Sequence, residues 1–190
     1  MSKEYYNKNT EEFYKNTINA KMNETYDIFE KYLTGNRILD LGCGSGRDSL
    51  YFLNKEYNVT ALDVSENLAK KASNLIGQEV IIKDMLGIDY INEYSGIWAC
   101  ASIIHIKRND ILDMFKKCHK ALEEEGIFYS SFKYRDSDYE KDGRSFTCFK
   151  EEGMEDLLKL TDFKIIKIWK TTDVRPGRDT EYWLNVLLKK

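Results

Sequence analysis

The 190-residue sequence contains a single proline and no apolar run close to the roughly 20 residues that a membrane helix requires. It contains only two histidines, which excludes a histidine-rich metal site, and we expect no bound metal. Its first ten residues are polar and do not resemble a signal peptide. We therefore expect a cytoplasmic protein that does not bind membranes.

Paired cysteines and basic patches are also missing. The four cysteines are widely spaced, without a C-x-x-C pair, so we expect reduced thiols and neither disulfides nor zinc ligands. The net charge is −3, and acidic and basic residues are interspersed. A nucleic-acid binder usually carries a basic patch, so this pattern favours a small-molecule partner.

What is present is an alternation of strands and helices in a chain whose length suits one domain. Alternating elements of this kind form β-α-β units. We predict an α/β fold: a doubly wound, mostly parallel seven-stranded sheet with an antiparallel edge strand, helices on both faces and an N-terminal helical cap. Predicted strands are 37–41, 58–63, 79–83, 96–101, 127–132, 163–170 and 182–189; predicted helices are 10–34, 47–54, 65–77, 109–126 and 151–160, with a loop at 133–150.

The most specific motif follows the first strand, where Asp40 precedes Gly42, Gly44 and Gly46. Glycine backbones can approach a ligand closely, and a helix that starts near Arg47 favours a carboxylate or a phosphate at its N-terminus. The dinucleotide spacing G-x-G-x-x-G would require glycine at Arg47, which disfavours a nucleotide-dependent oxidoreductase. Asp40 would repel a pyrophosphate and can accept a hydrogen bond from an ammonium. An ordinary tight turn is the alternative interpretation.

Two further acids end the next two strands. Asp63 can accept hydrogen bonds from both hydroxyls of a ribose, and Asp84 can face an adenine amino group. A helix N-cap for Asp63 and a solvated loop acid for Asp84 are the alternatives. Three glycines and three acids, each at a strand end, are more informative together than singly.

These motifs resemble those of class I, Rossmann-like, S-adenosylmethionine-dependent methyltransferases, over about 36–132 by motif and over the whole chain by architecture. The stretch ILDLGCGSGRDSLYF (38–52) is most similar to the branch that includes tellurite methyltransferase-like proteins. The resemblance implies S-adenosylmethionine as cofactor. It also divides the single domain 1–190 into cap helices (1–34), a cofactor-binding half (35–133) and a substrate-side half (134–190).

The resemblance further assigns cofactor contacts to positions of this sequence. The glycine loop would surround the methionine moiety of the cofactor. The residues at the end of the second strand would contact the ribose, and those at the end of the third strand would contact the adenine. The fourth-strand segment 98–105 would border the transferable methyl, and N-terminal tyrosines would cover the cofactor. The implied cofactor residues are Asp40, Gly42, Cys43, Gly44, Gly46, Arg47, Asp63, Val64, Asp84, Met85, Ala101, Tyr6 and Tyr14.

Methyl transfer is a direct in-line displacement, so a general base is needed only if the acceptor atom carries a proton. His105, just past the fourth strand, is the candidate catalytic base; a histidine bonded to the backbone is the alternative. Arg144, Arg175 and Arg178 lie after the fifth and sixth strands and can clamp a carboxylate or an oxyanion. Solvated loop arginines are the alternative.

We therefore expect an enzyme, a monomer or a homodimer, that methylates a small molecule, with an anionic acceptor favoured. DNA is not expected as substrate, because the Asn/Asp-Pro-Pro-aromatic motif of DNA amino-methyltransferases is replaced here by Ala101-Ser102-Ile103-Ile104. Protein methylation, RNA methylation and a non-catalytic S-adenosylmethionine-binding module remain open alternatives.

Overall fold

A central seven-stranded sheet organises the chain in the computed structural model, which describes residues 2–190. The strand order is β3-β2-β1-β4-β5-β9-β8. A separate two-stranded hairpin pairs β6 with β7. The strands are β1 (Arg37–Leu41), β2 (Asn58–Asp63), β3 (Ile81–Ile82), β4 (Tyr94–Ala99), β5 (Leu122–Lys133), β6 (Tyr139–Lys141), β7 (Arg144–Phe146), β8 (Lys164–Thr172) and β9 (Tyr182–Lys189).

Helices lie on both faces of the sheet. Short 3₁₀ turns follow β3 at Met85–Gly87 and β4 at Ile103–His105. The helices are α1 (Ser2–Lys8), α2 (Thr10–Thr17), α3 (Asn23–Tyr32), α4 (Arg47–Asn54), α5 (Glu66–Ile76), α6 (Arg108–Ala121) and α7 (Glu151–Leu158).

The predicted fold class is confirmed. Strands β1 to β5 pair in parallel, and β9 runs antiparallel to both of its neighbours, β5 and β8. The antiparallel strand therefore lies one position inside the edge, and β8, which runs in the same direction as β1 to β5, forms the edge itself.

Alternation along the central strands builds one core on each face of the sheet. Successive side chains of a strand point to opposite faces. Leu39 accordingly packs in the cluster that contains Phe115 of α6, whereas its neighbour Ile38 packs in the cluster that contains Phe29 of α3 and Phe52 of α4. The central strands are covered on both sides, as parallel sheets require.

Several element boundaries differ from the sequence-based prediction. The predicted helix 10–34 is interrupted, with α2 ending at Thr17 and α3 beginning at Asn23, and α1 precedes them. The predicted helix 109–126 ends at Ala121, because β5 already begins at Leu122. The predicted loop 133–150 contains the β6–β7 hairpin, which turns at Asp142 (φ 52°) and Gly143 (φ 71°). Positive φ at both central residues is typical of a tight Asp-Gly hairpin turn.

The helix α5 agrees closely with its prediction. The Ser65 side chain accepts a hydrogen bond from the backbone N–H of Leu68 and caps the N-terminus. Gly77 ends the helix in the left-handed conformation. No helix within residues 2–190 is long and apolar enough to span a bilayer.

Candidate functional site

An open cavity of about 1150 Å³ lies where β1, β2, β4 and β5 end. Helices α1 and α2 border one side of it, and the β6–β7 hairpin with the β8–β9 connection borders the other. Pockets for single small ligands are typically about 300–1,000 Å³. The cavity is therefore large enough for two molecules side by side, and it lies where open α/β sheets bind their ligands.

The glycine loop forms part of the cavity floor. The backbone N–H groups of Gly42 and Cys43 both donate to the carbonyl of Leu62, at 2.9 Å each, and so tie the loop to β2. Gly42 has φ +84°, and a Cβ there would lie 2.5 Å from the Cβ of Ser102. Only glycine fits this position, because a side chain would be strained by φ and would collide with Ser102.

Gly46 has a different role from the other two glycines. It does not line the cavity; it begins α4 with φ +80°, and a Cβ there would lie 3.0 Å from the Cβ of Ala72. This glycine lets α4 start close against α5, so its place in the motif reflects helix packing.

Asp63 is the acidic residue that the structure brings to the loop. Its Oδ2 accepts a hydrogen bond from the backbone N–H of Gly44 at 2.9 Å, and its Oδ1 accepts one from Ser65 at 2.8 Å. Burial raises the pKa of this carboxyl group, and the two backbone donors oppose that rise. Each carboxylate oxygen can accept a further hydrogen bond, so Asp63 can still bind two hydroxyls of a ligand.

Arg47 lines the cavity but its guanidinium is already paired. Nε and Nη2 donate to the two carboxylate oxygens of Asp48 at 2.7 and 2.8 Å. Asp48 also accepts hydrogen bonds from the Tyr26 hydroxyl and from Nε1 of Trp98, the latter at 2.9 Å. Burial raises the pKa of Asp48, but the charge of Arg47 and the hydrogen bonds from Arg47, Tyr26 and Trp98 together outweigh burial and lower the pKa. Sequence reasoning missed Asp48; its only signal was an acid beside an arginine in the first turn of α4.

Asp40 lies behind the loop and does not line the cavity. It is buried, and its Oδ2 accepts a hydrogen bond from the Ser49 hydroxyl at 2.5 Å. Burial and the neighbouring Asp48 charge raise the pKa of Asp40. The structure therefore places this carboxyl against α4, away from the position expected for a ligand ammonium.

The remaining predicted cofactor positions divide into two groups. Val64, Met85 and Ala101 line the cavity. Asp84 and Tyr14 do not: Asp84 is exposed and caps a 3₁₀ turn through the N–H of Leu86, and the Tyr14 ring lies under the Lys71 ammonium at 4.4 Å. The prediction of adenine and methionine contacts from those two side chains thus has no support in their placement.

Helices α1 and α2 cover the loop. A Cβ on Gly44 would lie 3.1 Å from the Phe13 ring, so this ring sits directly above the loop. Asn7 connects α1 to the start of α5: its side-chain oxygen accepts from the Ser65 hydroxyl at 2.6 Å and from the N–H of Asn67 at 3.2 Å. The predicted N-terminal cap is therefore present, although Phe13 and Asn7 were not identified from the sequence.

His105 is held from both sides. Nδ1 lies 2.9 Å from the carbonyl oxygen of Ser145, which can only accept, so Nδ1 carries the proton and Nε2 accepts from the Tyr6 hydroxyl at 2.7 Å. Burial lowers the pKa of His105 to about 4, and Arg144 contributes to this shift. The imidazole is therefore neutral at pH 7, it lines the cavity, and its basic nitrogen is occupied by the Tyr6 hydroxyl.

The far end of the cavity carries a network of charged side chains, of which the sequence predicted the arginines but not their acidic partners or Lys133. Arg175 donates to both carboxylate oxygens of buried Asp173, from Nε at 2.9 Å and from Nη2 at 2.5 Å. Lys133 donates to Asp173 at 3.3 Å and to Glu181. Arg178 lies 3.4 Å from Glu181. Arg144, Arg175 and Arg178 all line the cavity as predicted, yet the latter two already have acidic partners.

Comparison with known proteins agrees with this geometry. Residues 38–126 match the family model described as "Methyltransferase domain", just under half of the chain. YqeM of Bacillus subtilis (strain 168), named as a candidate methyltransferase, is 29% identical over 57% of this chain and 50% of its own length. The chain thus spans about half the length of the curated relative that it matches.

Solved structures share the fold at low identity. One is a Burkholderia thailandensis 1,6-didemethyltoxoflavin-N1-methyltransferase with bound 1,6-didemethyltoxoflavin and S-adenosylhomocysteine, with TM-score 0.75, 22% identity, and coverage of 92% of this chain and 79% of that one. Another is the [4+2]-cyclase SpnF, with TM-score 0.76, 15% identity, and coverage of 100% and 95%. The likeness to SpnF shows that the fold alone does not define the reaction.

These findings agree with the prediction of an S-adenosylmethionine-dependent methyltransferase, while none of them tests the tellurite methyltransferase-like branch. The chain therefore has the fold of S-adenosylmethionine-dependent methyltransferases, and its segment 38–126 matches their methyltransferase domain.

Proposed function

We propose that this protein transfers a methyl group from S-adenosylmethionine to a small molecule. The observation that carries the proposal is Asp63, a buried carboxylate bonded to the glycine loop at one end of a cavity large enough for a second ligand. The ribose hydroxyls of the cofactor would bind Asp63, and its methionine part would lie along Gly42 to Gly44, near Arg47. The bound cofactor supplies an electrophilic methyl on a sulfonium.

The residues of this chain would act mainly by positioning and by excluding water. Ala101 and the 3₁₀ turn that contains His105 lie between the glycine loop and the charged far end of the cavity. Helices α1 and α2 cover the loop side, and the β6–β7 hairpin reaches His105 through Ser145. An in-line displacement gains most from such alignment of its two reactants.

A small acceptor fits this site better than a polymer. Both α1 and the hairpin border the cavity, and both are bonded to His105, so together they restrict access to it. The structurally similar Burkholderia thailandensis methyltransferase has 1,6-didemethyltoxoflavin, a small molecule, and S-adenosylhomocysteine bound. A small-molecule acceptor for this chain is our proposal on these two grounds, and the narrower likeness to tellurite methyltransferase-like proteins stays a prediction.

Calorimetric titration with S-adenosylhomocysteine tests the cofactor site. Asp63→Ala should weaken binding at least tenfold, because two hydrogen bonds to a desolvated carboxylate are lost. Asp84→Ala is the matched control, since Asp84 also follows a strand but lies outside the cavity. The affinity of this variant for S-adenosylhomocysteine should stay within twofold of the wild-type affinity. Equal losses in the two variants, or no binding by the wild type, would contradict the proposal.

Labelled methyl transfer separates the proposed class from its alternatives. The protein and labelled S-adenosylmethionine are incubated with a small-molecule extract, with protein and with RNA in separate reactions. We expect label in the small-molecule fraction alone. Label in protein or RNA would replace the proposed acceptor class, and cofactor binding without any transfer would indicate a non-catalytic module.

A further inference from the structure

Arg144 differs from the other cationic residues at the charged far end of the cavity. It lies on β7, and its guanidinium stacks on the Tyr5 ring at 3.6 Å, with the Phe146 ring at 5.2 Å. The one carboxylate that pairs with it within residues 2–190 is Asp142, 3.3 Å from Nη2. The Arg144 side chain is 14% exposed, whereas that of Asp142 is 54% exposed, so this pair is weak and screened by solvent.

The guanidinium also has an unused donor. Nε of Arg144 is shielded from solvent and has no hydrogen-bond partner among the described residues. A buried donor without a partner costs free energy, so the protein itself does not fully satisfy this guanidinium. The stack on Tyr5 meanwhile holds the plane of the guanidinium, so little side-chain freedom is left to lose when a ligand binds.

The other arginines of this end are already satisfied. Arg175 makes a two-point contact with buried Asp173, and Arg178 pairs with Glu181. Between residues 129 and 185, six lysines or arginines and four acids line the cavity. The excess is positive, and Arg144 is the half-buried cation in it that lacks a strong acidic partner.

Arg144 also lies close to Tyr6, with its guanidinium 5.7 Å from the Tyr6 ring. The Tyr6 hydroxyl bonds to His105; burial raises the pKa of Tyr6, Arg144 lowers it through a hydrogen bond and its charge, and Asp63 raises it. Tyr6 therefore lies within electrostatic reach of both the cofactor-side acid and Arg144.

We infer that the methyl acceptor carries a carboxylate, and that the guanidinium of Arg144 binds it. A carboxylate presents two oxygens that match an edge of a guanidinium. Tyr5, Tyr6, Tyr139 and Phe146 line the same wall, which suits a flat aromatic body behind the carboxylate. The inference rests on the proposed function for its assignment of this end to the acceptor.

Benzoate and benzamide are the probes, because they share shape and differ in charge. Each is titrated by calorimetry into the full-length protein, with and without saturating S-adenosylhomocysteine. We expect benzoate to bind the wild type at least tenfold more tightly than benzamide. Arg144→Gln should lower the affinity for benzoate at least tenfold, to the level of benzamide. The affinity of Arg144→Lys for benzoate should be intermediate, because an ammonium keeps the charge but lacks the two-point geometry of a guanidinium.

Lys141→Gln is the matched control. Lys141 faces Arg144 across the hairpin, is exposed, and lines the same cavity, so its loss removes an equal charge without the buried donor. Its affinity for benzoate should change less than twofold. Equal binding of the two probes by the wild type, or equal losses in Lys141→Gln and Arg144→Gln, would refute the inference.

The same titrations separate this inference from the proposed function. If the wild type and all variants fail to bind S-adenosylhomocysteine while benzoate binding still depends on Arg144, the proposed function fails and the anion site stands. If S-adenosylhomocysteine binds normally and benzoate does not bind, the anion site fails alone. Circular dichroism of Arg144→Gln confirms that the variant is folded before either comparison is made.

Discussion

The Arg47–Asp48 pair shows how much of the site is built from groups that do not face the ligand. Two adjacent residues of α4 share two hydrogen bonds in a buried setting, and Tyr26 and Trp98 complete the acceptors of Asp48. The desolvation of such a pair is costly, and its geometry must be good to offset that cost. Arg47 is thereby held beside Cys100, at 3.7 Å from the sulfur, at the cavity wall.

Replacing Asp48 by alanine should destabilise the protein strongly. The change leaves Arg47 as an unpaired buried cation and removes the partner of Trp98 Nε1, so we expect a loss of about 3–5 kcal/mol in the free energy of unfolding. Urea denaturation measures it. Asp113→Ala, which breaks an exposed pair with Lys117 on α6, should cost less than about 1 kcal/mol. Similar losses in the two variants would contradict this account.

Three acids near strand ends looked equivalent in the sequence, yet the structure brings only Asp63 to the cavity. Side chains alternate along a strand, and Asp40 is one residue before the end of β1, so it points to α4 and Ser49. Asp84 follows a strand of only two residues and turns back to cap the next turn. The order of the motifs along the chain was therefore predictable. The direction of each side chain was not, because it depends on the exact residue at which a strand ends, and hydrophobic periodicity does not locate that residue.

At the scale of the elements, α1 is held by a few hydrogen bonds and by the ring contacts of Tyr5 and Tyr6. None of its residues is fully buried; Asn7 bonds to the start of α5, and Tyr6 bonds to His105. Elements with little buried apolar surface open with low free energy. A cover of this kind can open without unfolding the sheet.

Asn7→Ala should loosen this cover. The Ser65 hydroxyl and the N–H of Asn67 lose their acceptor, so α1 should open more often. We expect faster hydrogen exchange in residues 2–8 and faster dissociation of S-adenosylhomocysteine, with exchange in β1 and β4 unchanged. Lys3→Ala, which breaks an exposed pair with Glu66, is the control and should leave both rates nearly unchanged. Unaltered exchange in Asn7→Ala would show that Asn7 does not hold α1.

The strands and helices of the central sheet were predictable from the sequence, whereas the β6–β7 hairpin and the separate helices α1 to α3 were not. Buried strands and amphipathic helices have strong hydrophobic periodicity, and the sequence identified Ser65 as the N-cap and Gly77 as the C-terminal end of α5. The hairpin at 139–146 was missed although Asp142-Gly143 is a frequent hairpin turn, because its two strands are only three residues long. The break between α2 and α3 carries no proline or glycine to mark it.

At the scale of the whole molecule, one imidazole joins parts that are distant in the chain. His105 follows β4, bonds to Tyr6 in α1 and bonds to the backbone of Ser145 in β7. The two covers of the cavity thus meet at a neutral histidine. Burial is the main reason why the folded state disfavours protonation of His105, and the charge of Arg144 adds to it. Protonation of Nε2 would also remove the acceptor for the Tyr6 hydroxyl.

Stability should therefore depend on pH through His105. Its pKa is about 4 in the folded protein and 6.5 in its ordinary state, so the unfolded chain binds more protons between these values. The contribution is fully present above pH 6.5 and is lost as pH falls towards 4, by roughly 3 kcal/mol in all and about 2 kcal/mol by pH 5.

Urea denaturation of the wild type and of His105→Gln at pH 7 and pH 5 measures this effect. The wild type should lose about 2 kcal/mol more than the variant on acidification. His119→Gln is the control, because the pKa of His119 is lowered by only partial burial and its change with pH should stay close to that of the wild type. An identical pH dependence in the wild type and His105→Gln would contradict a buried neutral histidine.

Gly46 packs against Ala72 and takes no part in lining the cavity. A chain that binds no ligand would still need this glycine to bring α4 and α5 together. A sequence search that relies on Gly46 therefore selects for helix packing, and it cannot separate proteins that bind a ligand from proteins that only share the fold.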